Sequence, residues 1–208
     1  MIVTQIIPLS KNNYLVYFLD WEELLLSKTE ISQYKIAEGI DMRMELYQHL
    51  TNEVLIPKAR NKAFNYLSYR NRSEKEMRNY LKDQGFNCTV LEFTITFLSR
   101  YNYIDDHEFA KSFIESKERS KPYGEKGLRY LLFQKGISNE IIETVLSERN
   151  DSAEIENCYK LLLKRGNSKA IPFEKKAKHI GYLQRRGFSY STINEAFKLY
   201  DIHINDVL

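Results

Sequence analysis

The sequence predicts a mainly α protein: tandem three-helix repeats in an elongated array, with a small N-terminal β-rich module. Three observations predict it. First, glycines recur at 85, 136 and 187, 51 residues apart in both intervals, and a period of that length marks a repeat architecture. Second, the neighbours of each glycine recur as well. A leucine stands four residues before it (Leu81, Leu132, Leu183) and an apolar residue directly after it (Phe86, Ile137, Phe188). This is the pattern of a Schellman helix end, in which glycine takes a positive φ and the next residue packs back on the helix. Asn87, Ser138 and Ser189 follow as N-caps for the next helix. Third, the first 28 residues carry short β-branched and aromatic runs instead of a helical period.

Residues 1–50 form the N-terminal β-hairpin and short-helix module. Ile2–Ile7, Tyr14–Leu19 and Glu22–Ser27 are three short apolar runs, separated by Pro8 and the turn-like Lys11-Asn12-Asn13. They predict a small antiparallel sheet. A helix is expected from Thr29, with Gly39 as its stop and Asp41 as the next cap.

Residues 51–104 make the first three-helix repeat. A helix over Met42–Leu55 meets Pro57, which ends, kinks or restarts it. Ala59, Ala63, Phe64, Tyr66 and Leu67 mark the next buried face. Ser73 and Glu76 have capping-box spacing at the start of the second helix, whose inner face is Met77, Tyr80, Leu81 and Gln84. Val90, Leu91, Thr94, Ile95 and Leu98 line the third.

The second repeat, 105–150, opens at Asp105-Asp106 and buries Phe109, Ala110, Phe113 and Ile114. Residues 119–124, with Pro122 and Gly124, read as a linker where the chain flexes. The third repeat, 151–208, buries Ile155, Cys158, Tyr159 and Leu162 and holds a second linker at Gly166–Pro172. One such unit buries little by itself, so stacking of neighbours is expected to complete each core.

Composition sets the class. With 43% hydrophobic and 28% charged residues, this is a soluble globular protein. No apolar run approaches the ~18 residues of a membrane span, and no secretory signal is visible. Cys88 and Cys158 stand alone in different repeats, which fits a reducing cytoplasm. The net charge of +3 is uneven: residues 1–50 hold four basic against seven acidic residues, and residues 51–100 hold nine against five.

No catalytic constellation is visible. His49, His107, His179 and His203 are scattered, and consecutive acids and a histidine at 105–108 do not face one another on a helix. No metal or cofactor is expected. Gly124-Glu125-Lys126-Gly127 lacks phosphate-loop spacing.

The candidate contact residues are basic. Lys75, Arg78 and Lys82 form one stripe on a helix, following Arg70 and Arg72 in the preceding turn. Lys126 and Arg129 occupy the matching positions 51 residues on, with Arg119 and Lys121 just upstream. Such a stripe suits sequence-independent contact with the phosphates of single-stranded or duplex DNA, or with an acidic partner.

These residues also carry a resemblance. Ala63-Phe64-Asn65-Tyr66-Leu67-Ser68-Tyr69-Arg70-Asn71-Arg72-Ser73 with Glu76-Met77 and Leu81…Gly85-Phe86, Tyr103-Ile104-Asp105-Asp106 leading to Phe109-Ala110, and Arg119–Pro122 with Leu128…Lys135-Gly136-Ile137-Ser138 resemble the RecX family. The resemblance is concentrated over residues 58–149. It implies a non-enzymatic regulator that binds the RecA–single-stranded DNA filament in its groove, and the chain is expected to be a monomer. It also implies suppression of strand exchange, ATP hydrolysis and co-protease activity, and so control of recombination, DNA repair and the SOS response. A reading from another class is a DNA-binding regulator of helix–turn–helix type. Against it stand the lack of a dimerisation element and few side chains suited to base edges.

Overall fold

In the computed structural model, which describes residues 1–166 and 171–207, three strands come first: β1 (Val3–Pro8), β2 (Asn13–Phe18) and β3 (Leu24–Ser27). They form an antiparallel meander in the order β1-β2-β3, with Ile6 opposite Val16 and Leu15 opposite Leu25. Pro8 ends an edge strand, where its missing N–H costs no ladder bond. Val3, Val16, Phe18, Leu24 and Leu26 are buried.

Ser27 ends the sheet and caps α1 (Lys28–Gln33). Its hydroxyl accepts from the Glu30 N–H at 3.2 Å, and the Glu30 carboxylate accepts from the Ser27 N–H at 2.6 Å. This reciprocal cap stops after six residues, short of the Gly39 stop expected from sequence. Lys35 at φ 51 breaks the helix first. Asp41 is not a cap either: it pairs with the N-terminal ammonium at 2.5 Å and bridges to Ile2, while Arg43 stands at the N-cap of α2.

The helix around Pro57 neither ends nor restarts. α2 (Met44–His49) runs through a π-helical turn at Leu50–Leu55 directly into α3 (Ile56–Leu67). The Ile56 N–H reaches back to the Thr51 carbonyl, one residue further than in an α-helix. Pro57 has no N–H to give to the carbonyl four residues before it, and widening this turn removes the clash with that carbonyl.

Two further helices, α4 (Glu74–Asp83) and α5 (Cys88–Arg100), complete the first three-helix unit. Buried residues from Val3 to Ile104 form one continuous hydrophobic core. The sheet and the first three-helix unit are thus one compact body, Met1–Asp105.

The second body, Asp106–Leu208, contains α6 (Asp106–Ser120), α7 (Glu125–Gln134), α8 (Asn139–Ser147), α9 (Asp151–Gly166), α10 (Phe173–Arg185) and α11 (Tyr190–Val207). Phe109, Leu128, Leu132 and Ile142 centre one core; Cys158, Leu183, Ile193 and Tyr200 centre another. Residues 167–170 of the Gly166–Pro172 linker lie outside the described residues.

All three glycines end a helix as the sequence pattern requires. Gly85, Gly136 and Gly187 have φ of 90°, 86° and 83°. The N–H groups of Phe86, Ile137 and Phe188 each donate to Leu81, Leu132 and Leu183 at 3.2 Å. Asn87, Ser138 and Ser189 accept from Val90, Ile141 and Thr192 as N-caps.

The 119–124 segment is not the flexing linker its proline and glycine suggest. It is a packed seam. Gly124 donates to the Arg186 carbonyl at 3.1 Å, and the Arg186 guanidinium donates to the Pro122 carbonyl at 3.1 Å while stacking over Tyr123 and Tyr182. A Cβ on Gly124 would meet the Phe188 backbone, and one on Gly187 would meet the Gly127 nitrogen. Close backbone approach requires glycine on both sides. Arg149 adds a second tie: it binds Glu118 at 2.8 Å and Glu154 at 3.2 Å, linking α6, the end of α8 and α9.

Candidate nucleic-acid and partner interface

Among the nine basic residues singled out by sequence, the structure separates two kinds. Arg78 and Arg129 are intramolecular staples. Arg78 binds Glu74 at 2.7 Å on its own helix and Glu92 on α5 at 2.5 and 3.1 Å. Arg129 binds Glu125 at 3.0 Å on α7 and grips Glu143 of α8 with both terminal nitrogens. Each acid in the second set lies 51 residues beyond its counterpart in the first. The guanidinium holds each outer carboxyl, Glu92 and Glu143, below the usual carboxylate range. Glu92 first, and Glu74 after it, push the Arg78 guanidinium further up; Glu143 and then Glu125 do the same for Arg129. The i, i+3, i+7 stripe is therefore interrupted at its middle position. The sequence reading missed this because Glu92 and Glu143 belong to the next helix, fourteen residues away.

Arg70 and Arg72 are also held. Arg70 forms a fork with both oxygens of Glu76, at 2.9 and 3.1 Å. Arg72 lies 3.8 Å above the Tyr66 ring, which stacks on Tyr80 at 4.0 Å with the ring planes 9° apart. These contacts order the α3–α4 turn, residues 68–73. At its head Tyr69 is 84% exposed. A ring held out on a turn with two arginines is the composition that stacks on unpaired bases while cations follow the phosphates. Tyr69 was not foreseen as a contact. The signal was present in sequence, an aromatic inside Ser68-Tyr69-Arg70-Asn71-Arg72, but exposure decides its role and only the fold sets exposure.

The lysines complete the picture. Lys75 and Lys82 are exposed on α4, as are Lys121 in the segment before α7 and Lys126 in its first turn. Lys82, Lys121 and Lys126 carry no ion pair among the described residues. Arg119 is exposed on α6 and pairs with Glu115 one turn back at 2.8 Å. The structure brings Arg70, Arg72, Lys75, Arg78 and Lys82 onto one turn and helix of the first body. Arg119, Lys121, Lys126 and Arg129 sit together around the α6–α7 seam of the second. Burial pushes the Cys158 thiol up to about 12, so this cysteine is inert packing. Among the described residues no three metal-ligating side chains converge, and no helix is long and apolar enough to cross a membrane.

This fold defines a class: tandem three-helix domains with basic, ordered turns between helices. Comparison with known proteins agrees. The chain matches the first, second and third three-helix domains of RecX over residues 59–98, 105–146 and 152–197. The regulatory protein RecX of Caldanaerobacter subterraneus is 31% identical over 202 residues, covering 96% of this chain and all of the relative. That of Finegoldia magna is 31% identical over 86% of this chain and 89% of its own length. The RecX of Listeria monocytogenes strain HCC23 is 29% identical, and the match spans 77% of this chain but 61% of that longer protein. Among solved structures, a crystal structure of regulatory protein RecX shares the fold with a TM-score of 0.65 over 95% of this chain and 98% of that one, at 23% identity. The crystal structure of RecX from Lactobacillus salivarius gives 0.63 over 71% and 97%, at 28% identity. The chain belongs to the RecX family, and these relatives are named as regulatory proteins.

Proposed function

We propose that this chain is a non-enzymatic modulator of the RecA recombinase, working in the cytoplasm as a monomer on RecA–single-stranded DNA filaments. Family membership supports the partner. The observation that carries the contact surface is the ordered α3–α4 turn, with exposed Tyr69 beside Arg70 and Arg72 and with Lys75 and Lys82 along the helix that follows. Arg78 and Arg129 contribute by holding helix pairs in place, while Lys82, Lys121 and Lys126 face phosphate or acidic protein. Contact through phosphates makes binding independent of sequence and sensitive to salt. Occupying the filament in this way suppresses strand exchange and ATP hydrolysis, and so restrains recombination, DNA repair and the SOS response.

The test is ATP hydrolysis by preformed RecA filaments on single-stranded DNA as the protein is titrated in. Inhibition is expected. Inhibition far below one protein per RecA subunit marks action at filament ends, and inhibition near equal stoichiometry marks binding along the groove. Unchanged hydrolysis with retained binding to bare DNA would overturn the proposal in favour of a DNA-binding regulator.

A further inference from the structure

We propose that the N-terminal body contains a second binding site, a cation pocket that takes the arginine side chain of a protein partner. It is separate from the basic turn and stands whether or not the chain acts on RecA filaments. The pocket is a cavity of about 470 Å³ between the β2–β3 turn and the α2–π segment, a size typical of ligand sites. Asp20 and Glu22 line it with Trp21 and Tyr47, and no lysine or arginine does. The whole 1–50 segment is acidic, four basic residues against seven.

Three observations converge on the ligand. The first is aromatic. Trp21 is 45% exposed and lies edge-on to Tyr47, ring centroids 5.3 Å apart, with Tyr47 fixed by donating to the Glu22 carbonyl at 3.1 Å. An indole face beside carboxylates attracts a cation by both its quadrupole and their charge. Burial first, then the charges of Glu22 and Glu23, push the Tyr47 phenol up to about 12, in keeping with a negative local field.

The second is an unsatisfied hydroxyl. Thr51 lines the pocket and is 5% exposed, and its Oγ1 is buried without a hydrogen-bond partner. Two helical threonines elsewhere in this chain return their hydroxyl to the preceding turn: Thr94 donates to Val90 at 2.8 Å and Thr144 to Glu140 at 2.9 Å. Thr51 sits in the π-helical turn instead. An unsatisfied buried hydroxyl marks a local departure from regular helix packing in the pocket wall, and π-turns recur at functional sites.

The third is the choice of cation. Asn52 and Gln48 add acceptors on the same wall. A guanidinium offers five N–H donors in a plane that stacks on an indole and meets carboxylates in a fork; an ammonium does neither. Glu22 keeps one oxygen on the Thr89 N–H at 3.0 Å, so the pocket wall is held in place before any ligand arrives. The acidic lining repels phosphate, which assigns this site to protein and not to nucleic acid.

Trp21 is the sole tryptophan of the chain, so its fluorescence reports on this pocket alone. The full chain is titrated with the peptide acetyl-Gly-Arg-Gly-amide, its citrulline counterpart and its lysine counterpart. A saturable change with the arginine peptide is expected at a Kd of order 1 mM, weakened about tenfold or more with citrulline and with lysine. The Asp20→Asn/Glu22→Gln variant keeps an acceptor for Thr89 and is expected to fold, by far-ultraviolet circular dichroism, yet bind at least about tenfold more weakly. No saturation up to about 50 mM peptide, an equal response to citrulline or lysine, or full binding by the folded double variant would overturn the assignment.

Discussion

The α4–α5 and α10–α11 hairpins turn on the same glycine motif but are held differently. In the first, Glu74, Arg78 and Glu92 staple the two helices, and Glu125, Arg129 and Glu143 repeat the device in α7–α8. Fifty-one residues further on stand Lys176, Ile180 and Asn194. The third hairpin loses the arginine and both acids together. In their place Ile180 packs against the third core and Lys176 reaches Asp201 at 3.3 Å. Arginine and acids come and go as a set, which is the behaviour of a structural group. A basic stripe read off one helix thus includes residues that hold the fold, and the carboxylates on the next helix identify them.

The comparison can be broken first at the glycines. Gly136→Ala pays for a positive φ, about 1–2 kcal/mol. Gly187→Ala adds a clash with the Gly127 backbone, so its loss should reach at least about 3 kcal/mol by urea unfolding. Equal losses would mean the seam yields easily.

Arg149→Ala tests depth. Its side chain is 12% exposed between Glu118 and Glu154, and removing it leaves two carboxylates without their cation. A cost of about 3 kcal/mol is expected, larger than for Arg78→Gln or Arg129→Gln, whose outer partners are exposed. Each of those should lower the Tm by a few degrees.

The functional half of the comparison is a contrast between neighbours. Lys82→Glu should weaken filament inhibition about threefold or more with Tm nearly unchanged. Arg78→Gln should do the reverse, moving Tm while leaving inhibition within about twofold. Equal inhibition defects would return Arg78 to the contact surface.

The smallest effect concerns pH and belongs to the third hairpin. Burial, and after it Arg165, Lys178 and Lys175, hold the His179 imidazole below its ordinary range. As pH falls the unfolded chain takes up this proton first, so stability present above about pH 6.5 is lost toward the depressed folded value. The urea midpoint should therefore drop between pH 7 and 5.5, and the drop should be shallower in His179→Gln.

The three glycine turns, their caps and most of each apolar face were legible in sequence because they rest on local rules: a positive φ, a side-chain oxygen three residues from an N–H, a 3.6-residue period. The site was legible only in part. Lys75 and Lys82 stand where the pattern put them, but the partners of Arg70, Arg78 and Arg129 could not be read without knowing which helix faces which. The helical period puts Tyr66 on the buried face, where it is stacked, but it assigns no place to Tyr69 three residues on, whose exposure only the fold sets.

The sequence by itself determined the helical repeat, its 51-residue period and the small N-terminal sheet. Tertiary structure decided the rest: that this sheet shares one core with the first three helices, that residues 119–124 form a packed seam, and that Pro57 is absorbed by a π-helical turn above a pocket. The division has one physical reason. Backbone propensity and capping act over a few residues and are written in their order, whereas burial, ion pairing and close backbone approach depend on groups brought together from far along the chain.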